Sequence, residues 1–247
     1  MSKTYIYSVK LNDGRHFLLY KNKATSYAGK NAMVLAIPSK TDLTKDNFVD
    51  VPKNTWEKWI NVVCPNPDAM LSFNSRSFTK GISSFKFGSY DILSLSSPES
   101  LEDLNELQHG FKVSDEIISV FKEKYPGWKV LVCMWDGSVD AEPIALTYES
   151  LFANTLFFPM LDGHDGHDGK LNLNKKVSRD HSLIFSKNID EKDLFNIDAS
   201  AIDRINIKNF FGNGDNKDYF IKIEDVATSP KITDIVEKAL LDELKHS

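Results

Sequence analysis

The chain has 247 residues, 41% hydrophobic and 26% charged, the balance of an ordinary soluble globular protein with enough apolar material for one large core or two small ones. With 30 basic and 35 acidic side chains the formal charge is -5, which repels phosphate backbones and anionic lipid and argues against general nucleic-acid binding, a local basic stretch at 170–179 aside. No uncharged run approaches membrane-spanning length and the N-terminus lacks the apolar core of a signal peptide, so the expectation is a cytoplasmic protein without membrane contact. Cys64 and Cys133, in dissimilar settings, read as free thiols of a reducing compartment.

In chain order, Tyr5 to Leu11 alternates, Asn12-Asp13-Gly14 is a hairpin turn signal, and His16 to Tyr20 alternates again. Ala32 to Pro38 is a short apolar run closed by proline, as expected of a buried strand. Trp56, Trp59, Ile60 and Val63 have the spacing of one helix face, and the Ser-rich stretch 72–89 reads as irregular strands or a loop. After a strand at 90–95, Ser97-Pro98-Glu99-Ser100 opens a helix through Leu101, Leu104 and Leu107. Ser114 caps a second helix with Ile117, Ile118, Phe121 and Tyr125 on one face, stopped by Pro126-Gly127.

Trp128 to Trp135, a turn at Asp136-Gly137, and Pro143 to Tyr148 form strand, turn and strand, and Phe157-Phe158-Pro159 and Ser182 to Phe185 are two more strands. Ile205 to Phe211, the turn 212–215 and Tyr219 to Ile223 predict a C-terminal hairpin, followed by a helix carrying Ile235, Leu240, Leu241 and Leu244. These elements predict an α+β protein of mainly antiparallel sheets with a few short helices. The order strand, polar loop, apolar strand at 16–38 recurs at 128–148. The expectation is therefore a core domain over 1–190 holding two similar sheet units packed face to face, from an internal pseudo-repeat at about 5–70 and 90–186, with 191–247 packed on it as hairpin and helix.

Chemistry concentrates between Asp162 and His181: Asp162-Gly163-His164-Asp165-Gly166-His167-Asp168-Gly169 leads to Arg179-Asp180-His181. Imidazole and carboxylate are the ligands that zinc, manganese, iron or nickel prefer, so His164, Asp165, Asp180 and His181, with Asp162 and His167, are the candidate metal ligands. A divalent transition metal with an open position there would lower the pKa of bound water, as in metal hydrolases. The same residues also suit a long polar hairpin, because Asp takes turn positions and Gly the left-handed ones, and a His-Asp contact would then fix only its register. A helical His-Asp phosphohydrolase site is disfavoured, since each of the three glycines costs a helix about 1 kcal/mol relative to Ala.

The succession Phe17-Leu18-Leu19-Tyr20, Asn31 to Pro38, Trp128 to Cys133, Phe158-Pro159, His164-Asp165-Gly166 and Asp180-His181-Ser182-Leu183 resembles a family of uncharacterised, mainly bacterial proteins with a Phe-Pro, His-Asp-Gly, Asp-His-x-Leu signature. The resemblance covers about residues 5–190 and implies that the His/Asp segment matters, without implying a reaction. Members commonly carry a His where this chain has Asp162, and His167-Asp168-Gly169 is a local addition, which weakens any claim for one particular metal.

Other motifs are absent: no Gly-x-Ser-x-Gly elbow, phosphate-binding loop or paired Cys-x-x-Cys. Asp136, Asp140 and Glu142 read as a solvated turn, His16, His109 and His246 are isolated, and the four tryptophans read as core or interface anchors. The sequence therefore predicts a non-catalytic structural or binding role through self-association or a protein partner. The alternative is a metal-dependent hydrolase, or a metal or small-ligand sensor, built on 162–181.

Overall fold

In the computed structural model, described over residues 3–23, 30–52, 55, 83–106, 112–136, 141–161, 180–197, 201–207 and 218–227, strands dominate and helices are few and short. The first hairpin forms as its alternation and turn require: β1 (Lys3–Lys10) pairs antiparallel with β2 (His16–Lys23), and Gly14 takes the positive φ (91°) of the turn. β3 (Lys30–Ile37) follows, then β4 (Ser83–Phe87) and β5 (Tyr90–Leu95), which pair through a two-residue turn at Gly88-Ser89. Helix α1 (Ser100–Glu106) and helix α2 (Asp115–Lys124) come next, the second capped by the Ser114 hydroxyl accepting from the Ile117 amide and ended near Gly127 at φ 75°. The remaining elements are β6 (Lys129–Asp136), β7 (Ile144–Tyr148), β8 (Thr155–Phe158), β9 (Asp180–Ser186), β10 (Ile202–Asn206), β11 (Tyr219–Lys222) and a short helix α3 (Ile223–Ala227).

The strands make a five-stranded sheet ordered β10-β9-β1-β2-β7, a four-stranded sheet ordered β3-β6-β5-β4, and a two-stranded ribbon β11-β8. Among the described strands, pairing is antiparallel except between β1 and β9. Alternation distributes the buried apolar side chains among three layers. Ile6, Leu18, Leu146 and Leu183 of the larger sheet meet Leu35, Ile92, Leu131 and Cys133 of the smaller one, joined by Leu156, Phe158, Tyr219 and Ile221 of the ribbon. The intervening residues Leu93, Leu95, Val130 and Val132 pack under α1 and α2 on the outer face of the smaller sheet, where Trp128 lies edge-on to Phe157 with ring centroids 5.0 Å apart. On the outer face of the larger sheet Tyr5, Tyr7, Val9, Phe17 and Leu19 are covered by Leu194 and the chain around Val49 and Phe195.

The expected predominance of antiparallel sheet with few helices is met, while each sheet takes strands from both of the echoed sequence segments. The segment 16–37 crosses from the larger sheet (β2) to the smaller (β3), and 129–148 crosses back (β6 to β7). β2 pairs with β7 and β3 with β6, so the echoed segments run side by side in opposite directions. The expected strand-turn-strand at 128–148 is therefore not a hairpin; of the expected C-terminal hairpin, 208–217 lie outside the described residues, and the described parts have other partners, β10 pairing with β9 and β11 with β8. In each case the apolar pattern fixes the face of a strand and carries no record of its partner. The helices expected around Trp56 and Ile235 lie outside the described residues.

Gly88 sits at φ 52°, and a Cβ there would lie 2.2 Å from a Glu142 carboxylate oxygen, the flexible end of that side chain. Gly88→Ala is expected to lower stability by about 1 kcal/mol from the left-handed backbone, with Glu142 swinging aside. Urea unfolding of the two proteins checks this.

Candidate functional site

The predicted site residues sit on the connection from β8 to β9. Asp162, His164, Asp165 and His167 lie outside the described residues, whereas Asp180 and His181 begin β9. The two flanking strands form as expected, yet they belong to different sheets, so the connection crosses from the ribbon to the larger sheet and is not the turn of a hairpin. Because β9 runs parallel to β1, its chain must arrive by a crossover.

The departing root is fastened by one carboxylate. Pro159, which cannot extend a hydrogen-bond ladder, ends β8. The next two amides, of Met160 and Leu161, donate to the same Asp218 oxygen at 2.7 and 3.1 Å, and the other Asp218 oxygen accepts the Tyr125 hydroxyl. Burial first, then the charge of Asp218, pushes the Tyr125 phenol well above its usual range and keeps it protonated as the donor. Asp218 directly precedes β11, whose Tyr219 is the register partner of Phe158. One side chain thus ties α2, the ribbon and the start of the connection together.

The returning root is buried. His181 is 5% exposed and pairs in register with Thr4, itself 1% exposed, whose hydroxyl donates to the Asn22 side-chain Oδ1 at 3.5 Å. Alternation puts His181 on the side of Leu183 and Phe185, which face the layer between the sheets. Among the described residues no group of three or more His, Cys, Asp or Glu side chains is placed to hold a metal, and no helix is long and apolar enough to cross a membrane. Asp136 is exposed, Glu142 packs by Gly88, and Cys133 is fully buried with its thiol pushed up by desolvation, a core side chain and not a nucleophile.

Sequence reasoning overlooked a buried polar set in the larger sheet. His16 is 0% exposed, and burial above all, helped by the Lys10 charge and partly offset by the Ala153 backbone, lowers its pKa from 6.5 to about 4. Its signal was parity: His16 occupies the same strand face as Leu18 and Tyr20, so a buried histidine was readable from alternation alone.

No protein-family model matches the chain, and no curated protein matches it. Among solved structures it is similar to a mutated baculovirus P35 after caspase cleavage, with 13% identity and a TM-score of 0.45 over 75% of this chain and 65% of that one. Baculovirus P35 itself gives 15% identity and a TM-score of 0.43 over 76% and 65%. P35 in its complex with caspase-8 gives 14% and 0.41 over 76% and 64%. The chain thus spans about two thirds of the length of these P35 chains.

Two outcomes follow. Asp218→Ala deprives three donors of their acceptor and is expected to cost about 2 kcal/mol, with faster hydrogen exchange at the Met160 and Leu161 amides. For His16 the folded pKa lies below the unfolded one, so on acidification the unfolded chain takes up the proton first. Stability is full above about pH 6.5 and is lost as pH falls toward 4, by about 3 kcal/mol in all. Urea unfolding across that range should show a steeper loss in the wild type than in His16→Leu.

Proposed function

We propose that this protein is a non-catalytic binding scaffold, acting in a cytoplasmic setting through self-association or a protein partner, with the connection between β8 and β9 as its contact segment. The observation that carries this reading is the fastening of both roots of that connection: Asp218 holds the Met160 and Leu161 amides, and His181 is buried between the sheets. Connections longer than about 12–15 residues are uncommon within compact domains and usually serve binding when a packed scaffold positions their ends.

The His181 environment supports binding over metal chemistry. A ligand imidazole on the inner face of β9 would draw a divalent ion toward an apolar layer of Leu183 and Phe185, where an ion is costly unless carboxylates accompany it. The alternative reading, a metal-dependent hydrolase or a metal sensor, needs His164, Asp165, Asp180 and His181 to act together.

The test replaces residues 163–178 in the full chain by Gly-Ser of equal length. Sedimentation velocity over a hundredfold concentration range reads self-association. For a protein partner, both chains serve as bait, and any protein retained only by the wild type is purified and titrated against each. Association that the replaced chain loses by tenfold or more, with its thermal unfolding unchanged, supports the proposal, whereas equal behaviour of the two chains overturns it. Near-stoichiometric transition metal in protein purified without tag or chelator, lost in His164→Ala/His181→Ala, would put the metal reading in its place.

A further inference from the structure

Ser8, His16 and Tyr148 stand on three adjacent strands of the five-stranded sheet. Register places His16 opposite Tyr148 across β2 and β7, while Ser8, opposite Leu18, is the diagonal neighbour of His16 across β1 and β2. Diagonal neighbours on one face are about 7–8 Å apart, and strands about 4.8 Å apart, so the three side chains fall in one patch of the layer between the sheets. The rings of His16 and Tyr148 are 5.9 Å apart, centroid to centroid. Exposure is 0% at Ser8 and His16 and 1% at Tyr148.

The Ser8 and Tyr148 hydroxyls have no hydrogen-bond partner among the described residues, and the His16 ring, which lies beside the Ala153 backbone, makes no hydrogen bond of good geometry from either nitrogen. Neighbouring hydroxyls are engaged: Thr147 accepts from Arg15 at 3.1 Å, and Ser150 accepts from the Phe152 amide at 3.1 Å. Buried polar groups in native proteins are nearly always hydrogen-bonded, so several orphans in one patch point to a shared partner small enough to reach them.

We infer that Ser8, His16 and Tyr148 form an internal hydration site for about one or two ordered water molecules. The donor and acceptor set selects water. Two hydroxyls donate and accept, and an imidazole with one N–H donates from one nitrogen and accepts at the other, which matches the two to four bonds a buried water makes. A cation is disfavoured by Lys10, the register partner of His16, whose ammonium group donates to Asn154 Oδ1 at 3.1 Å. An anion would find no charged donor among the three groups, since the Lys10 ammonium is turned to Asn154 in an exposed contact, and an apolar guest would leave every orphan unpaired.

Oxygen-17 relaxation dispersion of the full-length protein counts its long-lived waters, and the same measurement on Ser8→Ala/Tyr148→Phe is expected to lose one or two of them. In the wild type, the Tyr148 hydroxyl proton is expected to show a direct cross-peak to water, with the His16 nitrogen-15 shifts those of a hydrogen-bonded neutral ring. Should the double variant fail to fold, the wild-type spectra decide alone. A Tyr148 hydroxyl without a water cross-peak, or an unchanged water count in the folded variant, overturns the inference.

Discussion

The architecture depends on one constraint: both main sheets are covered on both faces along their central strands, so those strands must present apolar side chains at successive positions and still alternate between two environments. β6 illustrates it. Val130 and Val132 pack beneath the helices while Leu131 and Cys133 face the opposing sheet, all at 0% exposure. A one-residue slip would exchange these layers, setting residues chosen for one gap into the other. Register is thus specified along the whole sheet, and the elements that leave it inherit fixed starting points.

The β8–β9 connection takes its geometry from that fixed register. β8 lies in the ribbon and β9 in the larger sheet, so no shared ladder of hydrogen bonds holds the two ends together. Each end is held separately. Asp218 supplies the acceptor that the amides after Pro159 would otherwise lack, and the burial of His181 beside Thr4 locks the return. An unpaired buried amide is costly, which explains why a carboxylate, with room for several donors, occupies this point.

Much of the local structure was legible in the sequence. Asn12-Asp13-Gly14 named its hairpin, Ser114 named its helix start, and the apolar runs at 32–38 and 128–135 became β3 and β6. Long-range pairing was not, because Phe157-Phe158 and Leu183-Ile184-Phe185 read alike whether they pair with each other or with β11 and β1. Asp218 was invisible for a related reason: its partners Tyr125, Met160 and Leu161 are distant in sequence and only the completed fold joins them. Lys21 is a further instance. It is 2% exposed, on the same face as Leu19 and Phe17, and its ammonium group donates to the Ala141 carbonyl, a contact no local pattern announces.

Two histidines share the inner face of the larger sheet, and their contrast bears on what the His/Asp segment can do. His16 lies among Leu18, Leu146 and Tyr148, and desolvation there holds the imidazole neutral. His181 faces the same layer four residues before Phe185, whose ring lies edge-on to Phe158 at 6.5 Å. A neutral imidazole is what a metal requires, so burial alone does not disqualify His181 as a ligand. The ion is the costlier guest: two positive charges brought into an apolar layer need compensating carboxylate, at the desolvation cost of each charge. His181 and its register partner Thr4 are both buried, so the pairing that starts β9 against β1 is sealed from water and fixes where the strand begins.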